Sequence, residues 1–299
     1  MTIKTSHITA FVFALLLCAS TAPAVAQEPY TPPPPPPPPA ASPQGPEQGL
    51  PQPQEPPPSF APKQLDDLVA RIALYPDPLL AHILTASTYW DQIPQAADWA
   101  NQHSNLRGPA LADAIREDNL QWDASVLALL PFPSVLNMMA QDPSWTQQLG
   151  DAVLAQRPEV MDAVQRLRHE SYQYGYLRPD PYDNVSETDG DIEIVPRNPE
   201  YVYVPTYDPY VVFAPPRPGF VVGGAIRFGP AIVIGPAFFS WGWAHPYFGW
   251  RTHDIFFDAT PWRRSWVNRG YYVHPYAHPY VRREGPRVER HERHEEHRR

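Results

Sequence analysis

The chain has almost no cysteine. Its single one, Cys18, sits in an apolar run near the N-terminus. If that run is removed by processing, no disulfide, thiol nucleophile or cysteine-ligated metal remains. Glycine is also scarce, with 15 residues against 42 prolines in 299. A collagen repeat, which needs glycine at every third position, is therefore excluded. Phosphate-cradling loops are missing, because Gly223-Gly224 opens neither a GxxxxGK[ST] nor a GxGxxG pattern. No strand–turn–helix Gly-x-Ser-x-Gly element occurs, so the hydrolase elbow is absent too. Long apolar runs are lacking. Ile8 to Ala19 is too short to span a bilayer. The uncharged stretch from Phe228 to Trp250 is cut by Pro230, Pro236 and Pro246, which would interrupt a spanning helix. Positive charge is in deficit, with a formal net charge of −9 and 14 acids against 6 arginines in residues 64–176. Such a surface repels a phosphate backbone, so nucleic acid is not an expected partner.

What is present divides the chain into segments. Lys4, the apolar run and Ala24-Val25-Ala26 form the pattern of a cleaved export signal over residues 1–26. Leu17 is too bulky for a lipoprotein cut before Cys18. Residues 27–63 hold 17 prolines, eight of them consecutive at Pro32–Pro39. Proline removes the donor N–H and fixes φ, and the segment has almost no large aliphatics. It reads as a disordered polyproline II spacer, or as a docking segment for an aromatic groove on a partner.

From Gln64 to Tyr176 the periodicity is helical. Leu65, Leu68, Val69 and Ile72 follow an i, i+3, i+4, i+7 spacing. Pro94, Pro109, Pro133 and Pro158 mark helix openings, where a missing N–H costs nothing. Asp77-Pro78 and Asp142-Pro143 add a carboxylate placed to cap, and Asp123 caps a helix running through Leu130. The longest helix runs from Pro158 to about Tyr172, with Val160, Met161, Val164 and Leu167 on its buried side. Residues 177–235 change to short strands. Asp191-Ile192-Glu193-Ile194-Val195 alternates, and Tyr201–Val204 and Tyr210–Phe213 are further strand-like runs. Gly229-Pro230 and Gly235-Pro236 bracket Ala231–Ile234 as a short hairpin element. Residues 236–281 are rich in aromatics, and residues 282–299 form a charged Arg/Glu/His tail.

Three groups of residues carry candidate chemistry. Trp241, Trp243, Trp250, Trp262 and Trp266 would stack on sugar rings or sit at a bilayer interface if exposed, and would cap the helical domain if buried. His291, His294 and His297 have a spacing that suits zinc, copper or nickel. However, i+6 falls 240° round a helix, and neighbouring arginines oppose a cation. Asp77, Asp208, Asp254 and Asp258 are candidates for the paired carboxylates of a glycan hydrolase, which must lie about 5–9.5 Å apart. An Asp before Pro is otherwise a cap or turn former. His82, among Leu79, Leu80, Ile83 and Leu84, reads as a packed or partly exposed helix histidine.

Four long segments carry a resemblance. LVARIALYPDPLLAHILTASTY (68–89), WDASVLALLPFPSVLNMM (122–139), SWTQQLGDAVLAQRPEVMDAVQRLR (144–168) and VYVPTYDPYVVFAP (202–215) resemble, in order, the exported bacterial proteins grouped as domain of unknown function 3300. The resemblance covers about residues 64–215. It implies a Gram-negative envelope protein, often with low-complexity flanks, and supplies no established chemistry or catalytic residues to carry over. Together the patterns predict a mainly α fold. A bundle of seven or eight short helices (64–176) is followed by a small irregular β (hairpin) segment (177–235) packed on it, between disordered proline-rich and charged tails. The expected protein is a non-enzymatic envelope module at the periplasm or outer membrane, without cofactor, contacting envelope polymer or an envelope protein. The alternatives are a periplasmic glycan hydrolase and membrane association through residues 219–250 without spanning. N-terminal sequencing of the exported protein should begin at Gln27; an intact Met1 would remove the export reading.

Overall fold

A computed structural model describes residues 56–216 and 223–276. They lie within the unit Pro53–Arg299. The octaproline and the charged tail fall outside the described residues.

Eight α-helices come first: α1 (Pro62–Val69), α2 (Asp77–Ser87), α3 (Ile93–Gln102), α4 (Gly108–Glu117), α5 (Ala124–Leu127), α6 (Pro133–Gln141), α7 (Pro143–Ala155) and α8 (Arg157–Gln173). All but α5 carry proline at the first or second position, where its fixed φ is pre-set for a helix. The first helix opens at Pro62, inside the stretch read as spacer, because the Gln64 side chain returns to accept from the Ala61 N–H at 2.8 Å. Asp142 accepts from the Trp145 N–H at 3.1 Å and Asp123 from the Ser125 N–H at 2.9 Å, so both cap as expected. Asp77 does not. It is the first residue of α2 and makes no cap.

Ten of the eleven α2 residues are buried. A helix buried on every side belongs at the centre of a core, and α2 lies against α5, α7, the hairpin and the later aromatic strands. Its approach to α7 is close. A Cβ on Gly150 would stand 2.2 Å from the Ser87 carbonyl oxygen, so only glycine fits there. α1 pairs with α8 and α3 with α6.

The β part is small and irregular. β1 (Asp183–Thr188) and β2 (Asp191–Pro196) form an antiparallel hairpin with Val185 opposite Ile194. Asp189 and Gly190 both take positive φ, as the preferred two-residue hairpin turn requires. Ile192 and Ile194 point inward. Ala231–Ile234 does not make a local hairpin. β3 (Tyr201–Val202) pairs with β6 (Ile232–Val233), and β4 (Pro205–Thr206) with β5 (Arg227–Phe228). Distant strands fill each other's ladders where a tight turn was expected. Tyr210–Phe213 is not a strand either. Pro209–Val212 forms a short helix, α9, whose first turn is capped by Asp208 through the Tyr210 N–H at 2.9 Å. The local Asp-Pro start outweighs the β propensity of Tyr-Val-Val. Finally β7 (Pro246–Gly249), β8 (Asp254–Phe257) and β9 (Thr260–Pro261) form a three-stranded antiparallel sheet. Its inner residues share one hydrophobic core with α1 to α8.

Arg168 joins these parts. It has no solvent exposure. Its guanidinium donates to the carbonyls of Ala73 (2.8 Å), Tyr75 (3.0 Å) and Ile192 (2.7 Å). It also pairs with the Asp77 carboxylate at 2.7 Å and lies 5.0 Å from the Trp250 ring centroid. Beside it, Gln165 binds both the N–H (2.8 Å) and the C=O (3.1 Å) of Ile192, closing the free edge of β2. Removing one partner of a buried pair leaves an uncompensated charge, at a cost of about 3–5 kcal/mol. Arg168→Met should therefore lower the unfolding free energy by about that amount in urea titration. The double variant Arg168→Met with Asp77→Leu should recover part of it, which additive losses would contradict.

Candidate functional site

The five tryptophans do not form an exposed platform. Trp241, Trp243, Trp250 and Trp262 are buried. The Trp243 indole donates to the Ala128 carbonyl at 2.9 Å and stacks on Phe132. Trp250 stacks on Phe248 and faces Arg168. Trp262 lies 4.5 Å below the Arg157 guanidinium, which also donates to the Trp262 and Arg264 carbonyls. Trp241 packs on Phe238 under Arg116. Trp266 is half-buried, with Arg269 3.9 Å over its ring and its backbone N–H bound to the Leu154 carbonyl. Stacking on a sugar needs a free ring face, and the four buried rings have none. They cap the helical domain instead.

Three of the four carboxylates read as a hydrolase pair are committed to the local structure around them. Asp77 faces Arg168. Asp208 caps α9. Asp254 pairs with Arg263 at 2.8 Å. Asp258 sits exposed in the tight β8–β9 connection at φ 48°. Burial pushes the Asp77 carboxyl above its ordinary range, and Arg168 pulls the other way.

A second buried cluster gathers around α2. His82 is fully buried, 4.4 Å from the Trp243 ring and 5.0 Å from Phe257. His274 and Tyr276 pack against Phe257. Neither imidazole makes a hydrogen bond of ordinary geometry. Burial depresses both; His82 falls to about 3, with the Gly242 carbonyl offsetting little. Asp123 stands 3.9 Å from His274 Nε2, and Ser125 Oγ donates to Asp123 at 2.6 Å. This is not a nucleophilic triad, because the hydroxyl bonds the carboxylate and not the imidazole, and Ser125 is fully buried. His291, His294 and His297 lie outside the described residues. Among the described residues no group of three or more His, Cys, Asp or Glu is placed to hold a metal ion.

Open space lies elsewhere. One cleft of about 550 Å³ is walled by Tyr75, Pro131, Pro133, Met138, Pro230 and Ile232. Another, of about 260 Å³, lies at the start of β1, between Leu74, Tyr176, Ile194, Phe228 and Asp183. Asp183 is 3% exposed, and its Oδ1 has no hydrogen-bond partner. Burial, then the charges of Asp180 and Asp77, push its carboxyl up to about 7, with Arg197 opposing. A buried titratable group with a displaced pKa in a cleft is a functional candidate on physical grounds. It was missed in the sequence because Asp180-Pro181-Tyr182-Asp183 reads as an ordinary turn. Only the pairing of Asp183 with Pro196 turns it toward the interior.

Comparison with known proteins agrees with the extent of this fold. A family model described as "Protein of unknown function (DUF3300)" matches residues 61–278, and so takes in the aromatic strands as well as the helices. The Escherichia coli (strain K12) protein "Uncharacterized protein YacH" is 36% identical over 187 residues, covering 52% of this chain and 30% of the relative. The chain thus spans less than a third of that protein's length. No solved structure matches.

The buried imidazole predicts an acid response. His82 stays neutral in the folded state down to about pH 3, whereas an unfolded histidine takes up its proton near pH 6.5. Its contribution to stability is therefore full above about pH 6.5 and is lost as pH falls, by about 1.4 kcal/mol per pH unit. His82→Phe removes this loss. Urea titrations at pH 7, 6 and 5 should show the variant gaining on the wild type by that slope; a constant difference would show that His82 does not titrate on unfolding.

Proposed function

The chain belongs to the DUF3300 family, and from that premise we propose that it is an exported envelope protein that works by binding and not by catalysis. The observation that carries this reading is how the reactive side chains are used. Asp77 is consumed by Arg168, Asp208 by a helix cap and Asp254 by Arg263. His82 and His274 are enclosed by aromatic rings. General acid–base chemistry needs a group within reach of a substrate proton, and these groups are spent on holding the chain together. Two of the accessible clefts have instead largely apolar walls with a few polar groups, the usual form of a ligand site.

The address rests on the N-terminal signal pattern and the spacer behind it. The proline-rich stretch ahead of α1, about 35 residues, would reach about 110 Å if it were fully extended at about 3.1 Å per residue. Such a spacer would let the folded part meet a partner at a distance from the processed terminus. The partner class is an envelope polymer or an envelope protein. No helix among the described residues is long and apolar enough to cross a membrane.

The test is co-sedimentation of the purified protein with isolated peptidoglycan and with outer-membrane fractions, together with assay of the supernatant for released glycan. Retention on one fraction without glycan release is expected. Soluble sugar products, or recovery in neither pellet, would contradict it.

A further inference from the structure

We infer that the cleft at the start of β1 is a binding site for an aliphatic ammonium group, received by Asp183 with Asp180 behind it. This rests on the binding reading above and names the ligand chemistry of one site.

The geometry leaves a buried carboxyl oxygen without a partner. The cleft of about 260 Å³ is walled by apolar and aromatic side chains, and Asp183 lines it. The residue is more than nine-tenths buried, yet Oδ1 has no partner. Buried carboxylates are ordinarily paired or hydrogen-bonded, because burying a lone charge is costly. Asp180 adds a second negative group. Its Oδ1 accepts from the N–H groups of Tyr182 (2.7 Å) and Asp183 (2.8 Å), which orients the carboxylate without neutralising it.

The neighbouring cations hydrogen-bond backbone carbonyls and neither carboxylate. Arg178 lines the cleft, but its head donates to the carbonyls of Tyr172 and Leu177 and lies 4.5 Å from the Tyr172 ring centroid. Arg197 donates through Nε to the Asp180 backbone carbonyl at 2.6 Å, not to a carboxylate. The charged groups acting on Asp183 are thus Asp180 and Asp77 on one side and Arg197 on the other. Their balance is negative and adds to burial, the larger cause, in raising the carboxyl.

The walls select the rest of the ligand. Leu74, Ile194 and Ile226 suit a hydrocarbon stem, and Tyr176 and Phe228 offer aromatic surface to a cation. The volume is below the roughly 300–1,000 Å³ of sites for larger ligands, so a stem of a few carbons fits. One buried acceptor oxygen suits the compact charge of an ammonium better than the two-pronged guanidinium. The chemistry is that of a free diamine or of a lysine-like side chain on a peptide.

Calorimetry at pH 8 on the purified protein separates these sources. The probes are 1,5-diaminopentane, a short N-acetylated lysine peptide, and the same peptide with its side-chain amine acetylated. Saturable binding of either amine, and none of the acetylated peptide, is expected. Binding of the diamine alone assigns a free amine, and stronger binding of the peptide assigns a side chain. Asp183→Asn should weaken binding at least tenfold without lowering the melting temperature. In the wild type, the Asp183 carboxyl carbon followed by NMR should titrate at least one pH unit lower with the amine bound, which keeps the test decisive if the variant fails to fold. Equal binding of the acetylated peptide, no binding of either amine, or an unmoved Asp183 titration overturns the assignment. Amine silence beside intact envelope retention would sink this site alone; amine binding without envelope retention would sink the partner reading and leave the site.

Discussion

A guanidinium with no access to water organises this molecule. Arg168 spends its hydrogen bonds on three carbonyls from two separate stretches of chain and on the Asp77 carboxylate. The carbonyls of Ala73 and Tyr75 belong to the turn before α2, and that of Ile192 belongs to the hairpin. Trp250 covers the remaining face. Helix α8, the turn, the hairpin and the aromatic strands therefore meet at one side chain. A lysine has the charge but not the planar fork that reaches several acceptors at once. Such a buried pair is weak evidence for net stability, since desolvation offsets much of the attraction. It strongly disfavours alternative packings, each of which would strand a charge in apolar surroundings.

That constraint explains why four of the five C-terminal tryptophans are covered. Trp250 over Arg168, Trp262 below Arg157 and Tyr89 below Arg264 repeat one device, a guanidinium laid on an aromatic ring at the seam between the helices and the last strands. Arg264 also donates to the Thr88 carbonyl and hydroxyl at the end of α2. The aromatic segment thus completes a core that the helices alone leave open. The family match over residues 61–278 has the same extent. Of the buried groups with displaced titration, His82 and His274 face rings, while Asp183 lines open space. This difference is the ground on which a binding role is proposed for Asp183 alone.

The features legible in the chain were the local ones. Proline presets φ wherever it stands, so Pro94, Pro109, Pro133 and Pro158 announced helix starts without reference to anything distant. Asp142 and Asp123 cap because their acceptor and donor lie two or three residues apart. Ile192 and Ile194 declared a half-buried strand by alternation. Asp77 misled, since it had the context of a cap but found a stronger partner 91 residues away in Arg168. Tyr210–Phe213 misled in the opposite sense. Its strand-like composition gave way to the helical start set by Asp208-Pro209, and Tyr210 is left 92% exposed.

The amino-acid sequence by itself determined a proline-rich stretch ahead of the fold, a mainly helical middle and its division into short helices. These follow from the backbone restrictions of proline and from periodicities that repeat within a few residues. Only the tertiary structure decided which tryptophans are covered, that residues 227–233 pair with 201–206, and that one aspartate of an unremarkable turn is buried beside a cleft without a counter-charge. Burial and ion pairing depend on which distant segments arrive at the same place. No window of local sequence contains that information, because the energy belongs to the contact and not to either residue alone.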